Sequence, residues 1–344
     1  MRFIDLFSGI GGFRQGFEKA GFECVLSCEI DKNCRQVYTN NFNEIPVGDI
    51  KEINPADLDD FDVLVAGFPC QPFSICGKKL GFEDTRGTLF FEICKIIKIK
   101  QPQVIVLENV KHLIHHDQGN TLKVIIASLR ELGYSVDYKI LNAKDFGIPQ
   151  HRERIFIIGT KGKEFEFHRL KSRFPPKLRE FLDESGDFEI LDKSEYTLID
   201  HPRKQVSGLL FVGYRNKGTW KTGVRPNTEH LSRVHRQPNR IYSVDGVHPT
   251  IPSQETSGRF FIYIPEQDIV RKLTLKECYR LMGFPKDFKS HPNAAESYKQ
   301  IGNSVCVPVV EAVAKQILSQ NLLSNEQNEP YRKIEEYIQL VLFN

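Results

Sequence analysis

Six short apolar runs punctuate the first 160 residues, and amphipathic stretches fill the gaps between them. The runs are Phe3 to Phe7, Cys24 to Cys28, Val63 to Ala66, Val104 to Leu107, Val136 to Leu141 and Ile155 to Thr160, with a minor one near Pro46 to Gly48. Phe13 to Ala20, Lys32 to Phe42, Thr88 to Lys98 and Asn120 to Leu132 carry apolar residues at helical spacing. Strands that alternate with helices in this way predict an α/β, doubly wound, Rossmann-like sheet. Ligands of such sheets bind beyond the carboxyl ends of the strands, so the residues just after each run carry the functional information.

From about Lys161 to Pro265 the pattern breaks into irregular segments rich in Gly, Pro, Arg and His. Helical periodicity returns at Leu273 to Met282 and at Pro308 to Leu318, on either side of a loop holding Gly302, Asn303 and Ser304. This predicts a smaller domain, residues 161–269, inserted into a larger one made of 1–160 and 270–320. Residues 321–344 read as a linker followed by a short amphipathic helix over Tyr331 to Phe343.

The net charge of +3 does not by itself argue for nucleic acid. Its distribution does more: Arg203 to Arg259 holds ten Lys and Arg against three acidic residues, a candidate phosphate-facing surface. The eight cysteines include no C-x-x-C pair, so a zinc ribbon is not expected, and His112, His115 and His116 have no acidic cluster beside them; no metal is expected. Arg2 to Phe7 already reads as a strand, which leaves no room for a signal peptide, and no stretch looks like a membrane span. A cytoplasmic, nucleoid-associated protein with reduced thiols is the expectation.

Three strand ends carry chemistry. After the first, Asp5-Leu6-Phe7-Ser8-Gly9-Ile10-Gly11-Gly12-Phe13 is a strand, a glycine turn and a helix start. Its glycines do not match G-x-G-x-x-G, which argues against NAD. Glu29 ends the second strand, where a carboxylate can take the hydroxyls of a ribose. A nucleoside cofactor without a pyrophosphate suits both facts. After the third strand comes Gly67-Phe68-Pro69-Cys70-Gln71-Pro72-Phe73-Ser74, and Glu108-Asn109-Val110 ends the fourth. A thiol nucleophile and a carboxyl proton donor at neighbouring strand ends suit attack on a weakly electrophilic ring.

Pro69-Cys70-Gln71 followed by Glu108-Asn109-Val110 resembles the catalytic signature of the DNA cytosine carbon-5 methyltransferases of bacterial restriction-modification systems. The resemblance runs in order from Arg2 to about Leu318, apart from most of 161–235. It implies S-adenosylmethionine as cofactor, held by Phe7, Gly9, Ile10, Gly11, Gly12, Glu29, Asp49, Ile50, Pro69 and Leu89, with Asn303, Ser304 and Val305 closing the pocket. It implies Cys70 as the nucleophile at carbon 6 of a cytosine flipped out of duplex DNA, and Glu108 as the proton donor at ring nitrogen 3. In Gln150-His151-Arg152-Glu153-Arg154, which resembles the family's Gln-x-Arg-x-Arg element, Arg154 would steady Glu108 and Arg152 would support the active-site loop. Two arginines at alternate positions of an extended segment are expected to point the same way.

The resemblance also makes 161–269 a target-recognition domain, with Arg240-Ile241-Tyr242 among its recurrent elements. Candidate DNA contacts are Gln71, Ser74, Lys78, Lys79 and Arg86 near the active-site loop, and Arg225, Arg233, Arg236, Gln237, Arg240, Tyr242 and Arg259 in the insertion. Gln237 is the candidate for filling the gap left by the flipped base. A cognate restriction endonuclease as functional partner, without required contact, and a monomeric state are implied as well. Two alternatives stay open: a tRNA cytosine-5 methyltransferase on the same scaffold, and a catalytically silent DNA-binding regulator.

Overall fold

The computed structural model describes residues 1–69, 89–216, 227–254 and 260–323. In chain order the strands are β1 (Arg2–Leu6), β2 (Glu23–Cys28), β3 (Val63–Ala66), β4 (Val104–Val110), β5 (Ser135–Asn142), β6 (Gln150–His151), β7 (Glu153–Thr160), β8 (Tyr196–Lys204), β9 (Leu210–Arg215), β10 (Arg240–Ser243), β11 (His248–Pro249), β12 (Phe261–Ile264) and β13 (Ile269–Lys272). The α-helices are α1 (Gly12–Lys19), α2 (Lys32–Phe42), α3 (Leu89–Lys100), α4 (Asn120–Glu131), α5 (Leu275–Arg280), α6 (Ala294–Asn303) and α7 (Val307–Ser319).

The period-2 geometry of a strand explains why the apolar runs are continuous. On β3 and β4, Val63, Val65, Val104 and Val106 face one way and join Phe13 and Phe17 of α1 and Val309, Val310 and Val313 of α7. Leu64, Ala66, Ile105 and Leu107 face the other way and join Phe90, Ile93 and Ile97 of α3 and Leu122, Ile125 and Leu129 of α4. A strand buried on both faces has no position for a polar residue until it leaves the layers. The first polar residues after these runs are therefore at the strand ends, where Glu108 and Asn109 stand.

The sheet order is β2-β1-β3-β4-β7-β5. The pairs β1/β2, β1/β3 and β3/β4 are parallel, as expected of a doubly wound sheet. β7 runs antiparallel to both β4 and β5. Residues 143–152 are too few for a helical crossover, which takes a dozen or more residues, so the chain returns antiparallel. The minor run near Pro46 to Gly48 is a single parallel bridge from Val47 to Cys28.

The stretch read as irregular contains a five-stranded sheet, β13-β12-β10-β9-β8. β10, β12 and β13 have four residues each, and the longer β8 has an irregular register against β9 between Leu198 and Arg203, so their alternation is weak in the sequence. Val244, Ile251, Phe260 and Ile262 from this region join the same core as α1 and α7. The loop expected between the two returning helices contains α6. Asn293 caps it by accepting from Ala295 N and Glu296 N, a start signal present in the sequence just before the helix.

By length and mean hydropathy (1.3) the span Ala294–Ser319 could cross a membrane, contrary to the sequence reading, and 56% of that window is buried inside the protein. It is two helices, since Ser304 ends α6 in extended geometry, and both pack into the core.

Candidate active site

The strand ends open into one cleft of about 480 Å³, a size that fits a nucleoside-sized ligand. Among the residues lining it are Phe7, Gly9, Ile10, Gly12, Glu29, Asp49, Ile50, Pro69, Leu89, Glu108, Arg154, Asn303, Ser304 and Val305. Gly11 does not line it. This residue has φ 87° at the N-cap of α1, and a side chain there would strike the Phe42 ring, so its glycine serves the turn.

The turn is built by short bonds. Ser8 N donates to Cys28 O and Gly11 N to Ser8 O. Phe7 has φ 59°, a left-handed conformation that costs a bulky residue about 1 kcal/mol or more. Such strain at a cleft is held by its surroundings and presents the ring to the ligand. Glu29 accepts from Gly9 N through Oε2 and from Asp31 N through Oε1, both at 2.8 Å, which fixes the carboxylate while burial raises its pKa. Gly12 lies against the returning chain, where a Cβ would come within 2.7 Å of Ser304 Oγ. On the other side of the returning chain Lys299 Nζ meets Asp31 Oδ2 at 3.2 Å.

Among the described residues two cations line the cleft, Arg154 and Lys299, and both face carboxylates. This suits a nucleoside better than a pyrophosphate. Cys28 and Cys34 also line the cleft; burial, reinforced by Glu29 close by, pushes the Cys28 thiol up to about 12 and the Cys34 thiol higher still. Neither supplies a thiolate at neutral pH.

Glu108 is 8% exposed, and its Oε1 lies 3.3 Å from Arg154 Nε. Burial raises its pKa, opposed by the charges of Arg154 and Arg152. A carboxyl so placed can hold a proton and donate it to a ring nitrogen. Asn109 Nδ2 donates to Phe68 O at 2.8 Å and so ties the end of β4 to the chain two residues before Cys70. The sequence showed Asn109 beside Glu108 but gave it no role.

Arg152 departs from expectation. It falls in the break between β6 and β7, so strand alternation does not apply there. Its Nη2 donates to Gly302 O (2.9 Å) and Ser304 O (2.6 Å), and its Nη1 to Ile251 O (3.4 Å). Burial, with Arg154 beside it, pulls its pKa down. Gln150 acts similarly, donating to Leu281 O and accepting from Ile251 N. This half of the element binds the main sheet to the returning helices and the second sheet.

Cys70, Gln71, Ser74, Lys78, Lys79 and Arg86 lie outside the described residues, as do Arg225 and Arg259 and the tail from residue 324.

Comparison with known proteins decides the family. The profile of the C-5 cytosine-specific DNA methylases matches residues 1–319. The chain belongs to that family. It is 44% identical over 313 residues to the type II methyltransferase M.NgoBI of Neisseria gonorrhoeae, covering 91% of each chain. It is 39% identical to M.HhaI of Haemophilus parahaemolyticus over 92% of this chain and 94% of that one. With M.HaeII of Haemophilus aegyptius it shares 40% over 99% and 98%, a match that includes the tail. Two solved structures have a similar fold: DNMT2 of Spodoptera frugiperda (TM-score 0.66, 19% identity, 94% of this chain and 99% of that one) and EhMeth of Entamoeba histolytica (0.66, 19%, 93% and 98%).

The DNA-contact candidates of this methylase separate by burial. Arg233, Arg236 and Gln237 are exposed on the segment leading into β10. Arg240 is half-buried and donates from Nε and Nη2 to His235 O, which shapes that segment. Tyr242 is 2% exposed, packed among Leu209, Phe211 and Val247. It cannot reach DNA without unfolding β10, so it is a core residue and no DNA contact.

Proposed function

We propose that this DNA cytosine-5-methyltransferase takes its methyl group from S-adenosylmethionine and acts on a cytosine flipped out of a specific duplex site. The observation that carries this is the single cleft that joins the Phe7 to Gly12 turn and Glu29 to Glu108, Arg154 and Pro69, the residue before Cys70. Glu29 would hold the ribose, Phe7, Asp49 and Ile50 the adenine, and the Gly9 to Gly12 backbone, Leu89 and the Asn303 to Val305 segment the amino-acid end. Bound there, S-adenosylmethionine supplies the electrophilic methyl that carbon 5 of the activated ring accepts.

The chain's own residues do the activation. The Cys70 thiolate adds to carbon 6 while Glu108, holding a proton, donates to ring nitrogen 3 and draws charge from the ring. Arg154 fixes the Glu108 carboxyl and faces the oxygen at ring position 2. Loss of the carbon 5 proton to water, departure of the Cys70 sulfur as thiolate and return of the nitrogen 3 proton to the Glu108 carboxylate restore the aromatic ring and the starting enzyme. Arg152 acts by position, holding Gly302 and Ser304. The exposed Arg233, Arg236 and Gln237 would face DNA, with Gln237 entering the stack.

We also assign chemistry to 1–160 with 270–320 and target recognition to 161–269, and read the enzyme as a monomer protecting host DNA from a cognate restriction endonuclease. Duplex DNA is favoured over tRNA by the exposed Arg233 and Arg236 just before Gln237, and a silent regulator is disfavoured by the intact Glu108 and Arg154 pair. The test is a duplex containing 5-fluorocytosine. Fluorine cannot leave as a proton does, so a complex resisting denaturant should form with the native enzyme and S-adenosylmethionine. Cys70→Ser should not form it; a trapped complex in that variant would refute the assignment.

A further inference from the structure

The outer face of α7 borders a second cavity, of about 360 Å³, which shares no lining residue with the active-site cleft. Pro308, Ala312, Gln316 and Ser319, at helical spacing, form a wall that runs the length of the helix, about 17 Å at 1.5 Å per residue. Leu170 and Arg173 come from the chain beyond β7, and Phe146 from the turn after β5. Phe146 and Leu170 belong to the core that α7 shares with α1, so the groove opens onto the edge of that core.

Phe174 follows Arg173 directly and is 98% exposed. A lone exposed ring means little, but beside an open groove it extends the apolar surface that the groove offers. Lys171 and Arg173 are exposed as well, and among the described residues neither has an acidic partner. Lys315 meets only Glu311 of its own helix. The surface is thus partly apolar and carries unneutralised positive charge, which suits an amphipathic, acidic segment.

The chain itself carries one close by. Asn321, at φ 54°, ends α7: its N–H donates to Leu318 O and that of Leu322 to Ile317 O, which turns the chain off the helix axis beside Ser319. Residues 324–330 can span about 23 Å when extended, more than the length of the groove. In 331–343, Tyr331, Ile334, Ile338 and Val341 fall on one helical face. A helix of that length measures about 20 Å, close to the wall it would lie on. Residues 324–344 hold four glutamates (Glu326, Glu329, Glu335 and Glu336) against Arg332 and Lys333.

We propose that residues 331–343 dock as an amphipathic helix in the α7 groove of the same chain. The Tyr331, Ile334, Ile338 and Val341 face lies against the groove and Phe174, and the glutamates lie toward Lys171, Arg173 and Lys315. The docked helix braces α7 against the 170–174 segment and takes no part in methyl transfer.

Zero-length carbodiimide cross-linking of the full-length protein, mapped by mass spectrometry on a mixture of isotopically light and heavy chains, tests this together with hydrogen exchange. Links from the tail glutamates to Lys171 or Lys315 should form within one chain. The amides of 331–343 should exchange at least about tenfold more slowly than in a free peptide of the same sequence. The double variant Ile334→Asp, Ile338→Asp should lose both signals, and Phe174→Asp should weaken them.

A tail that exchanges as fast as the free peptide would overturn the proposal, as would the absence of links to these lysines or protection that survives in the double variant. Links formed only between light and heavy chains would place the tail on a second copy, and links to other lysines would place it elsewhere on the molecule; either result contradicts docking in this groove.

Discussion

Arg154 Nε on β7 lies 3.3 Å from Glu108 Oε1 on β4, across an antiparallel pair in which Arg154 stands opposite Val110. The antiparallel β7 makes this meeting possible, because it carries Arg154 to the same end of the sheet as the end of β4. The pair has opposing influences: burial raises the Glu108 pKa and the two arginines lower it, with burial prevailing.

The sign of the pH effect follows. A carboxyl whose folded pKa is raised costs nothing below its unfolded value and destabilises the fold as pH rises through the folded pKa. Glu108→Gln should therefore gain stability over the native enzyme at pH 8, a gain that vanishes toward pH 4. Its methyl transfer should fall by about a hundredfold or more, since an amide has no proton to give. Native activity should decline as pH climbs through that raised pKa. Denaturant titrations and rates across pH read both.

Phe7 at φ 59° invites a separation of strain from contact. Phe7→Gly should be more stable than Phe7→Ala by about 1 kcal/mol, because only glycine accepts that conformation freely. Both should bind the methyl donor more weakly than the native enzyme by similar factors, having lost the same ring. Urea unfolding without ligand, paired with calorimetry, distinguishes the two effects.

Asn109→Ala deletes the bond to Phe68 O that anchors the approach to Cys70. Methyl transfer should fall about tenfold or more while donor binding holds, as expected when a reacting group loses its placement by a fraction of an ångström. A drop in donor affinity of the same size would mean the bond shapes the cleft as a whole.

Arg152→Met should cost about 3 kcal/mol of stability, since the carbonyls of Gly302, Ser304 and Ile251 lose a buried donor together. Arg152→Lys should recover only part, because an ammonium lacks the planar fork that spans two carbonyls. Thermal melts of the two variants give the order.

On the insertion, Arg233→Ala and Arg236→Ala should each weaken binding to any duplex and lower the salt dependence by about one unit of slope. Tyr242→Phe should leave DNA affinity unchanged, because the ring is core and its hydroxyl is buried without a partner. Filter binding across salt concentrations checks all three.

The main sheet and its cleft were legible because physics writes them locally. Strands such as Val63–Ala66, buried on both faces, must be apolar throughout, and their polar successors must be the site. Glu108, at the end of the buried β4, stands out for that reason. The antiparallel entry of β7 shows only in the length of the connection from β5, too short for a helical crossover, because the direction of a strand leaves no mark on its composition. Arg152 and Tyr242 were not legible: an arginine bonding carbonyls and a tyrosine filling a core look the same in sequence as ones facing DNA.

The most direct test of the account is transfer of labelled methyl from S-adenosylmethionine to duplex DNA and to tRNA by the native enzyme, Cys70→Ser and Glu108→Gln. The account predicts label at carbon 5 of a cytosine in one DNA sequence, absent with Cys70→Ser and reduced about a hundredfold or more with Glu108→Gln. Label confined to tRNA, or DNA label undiminished in Cys70→Ser, would contradict it.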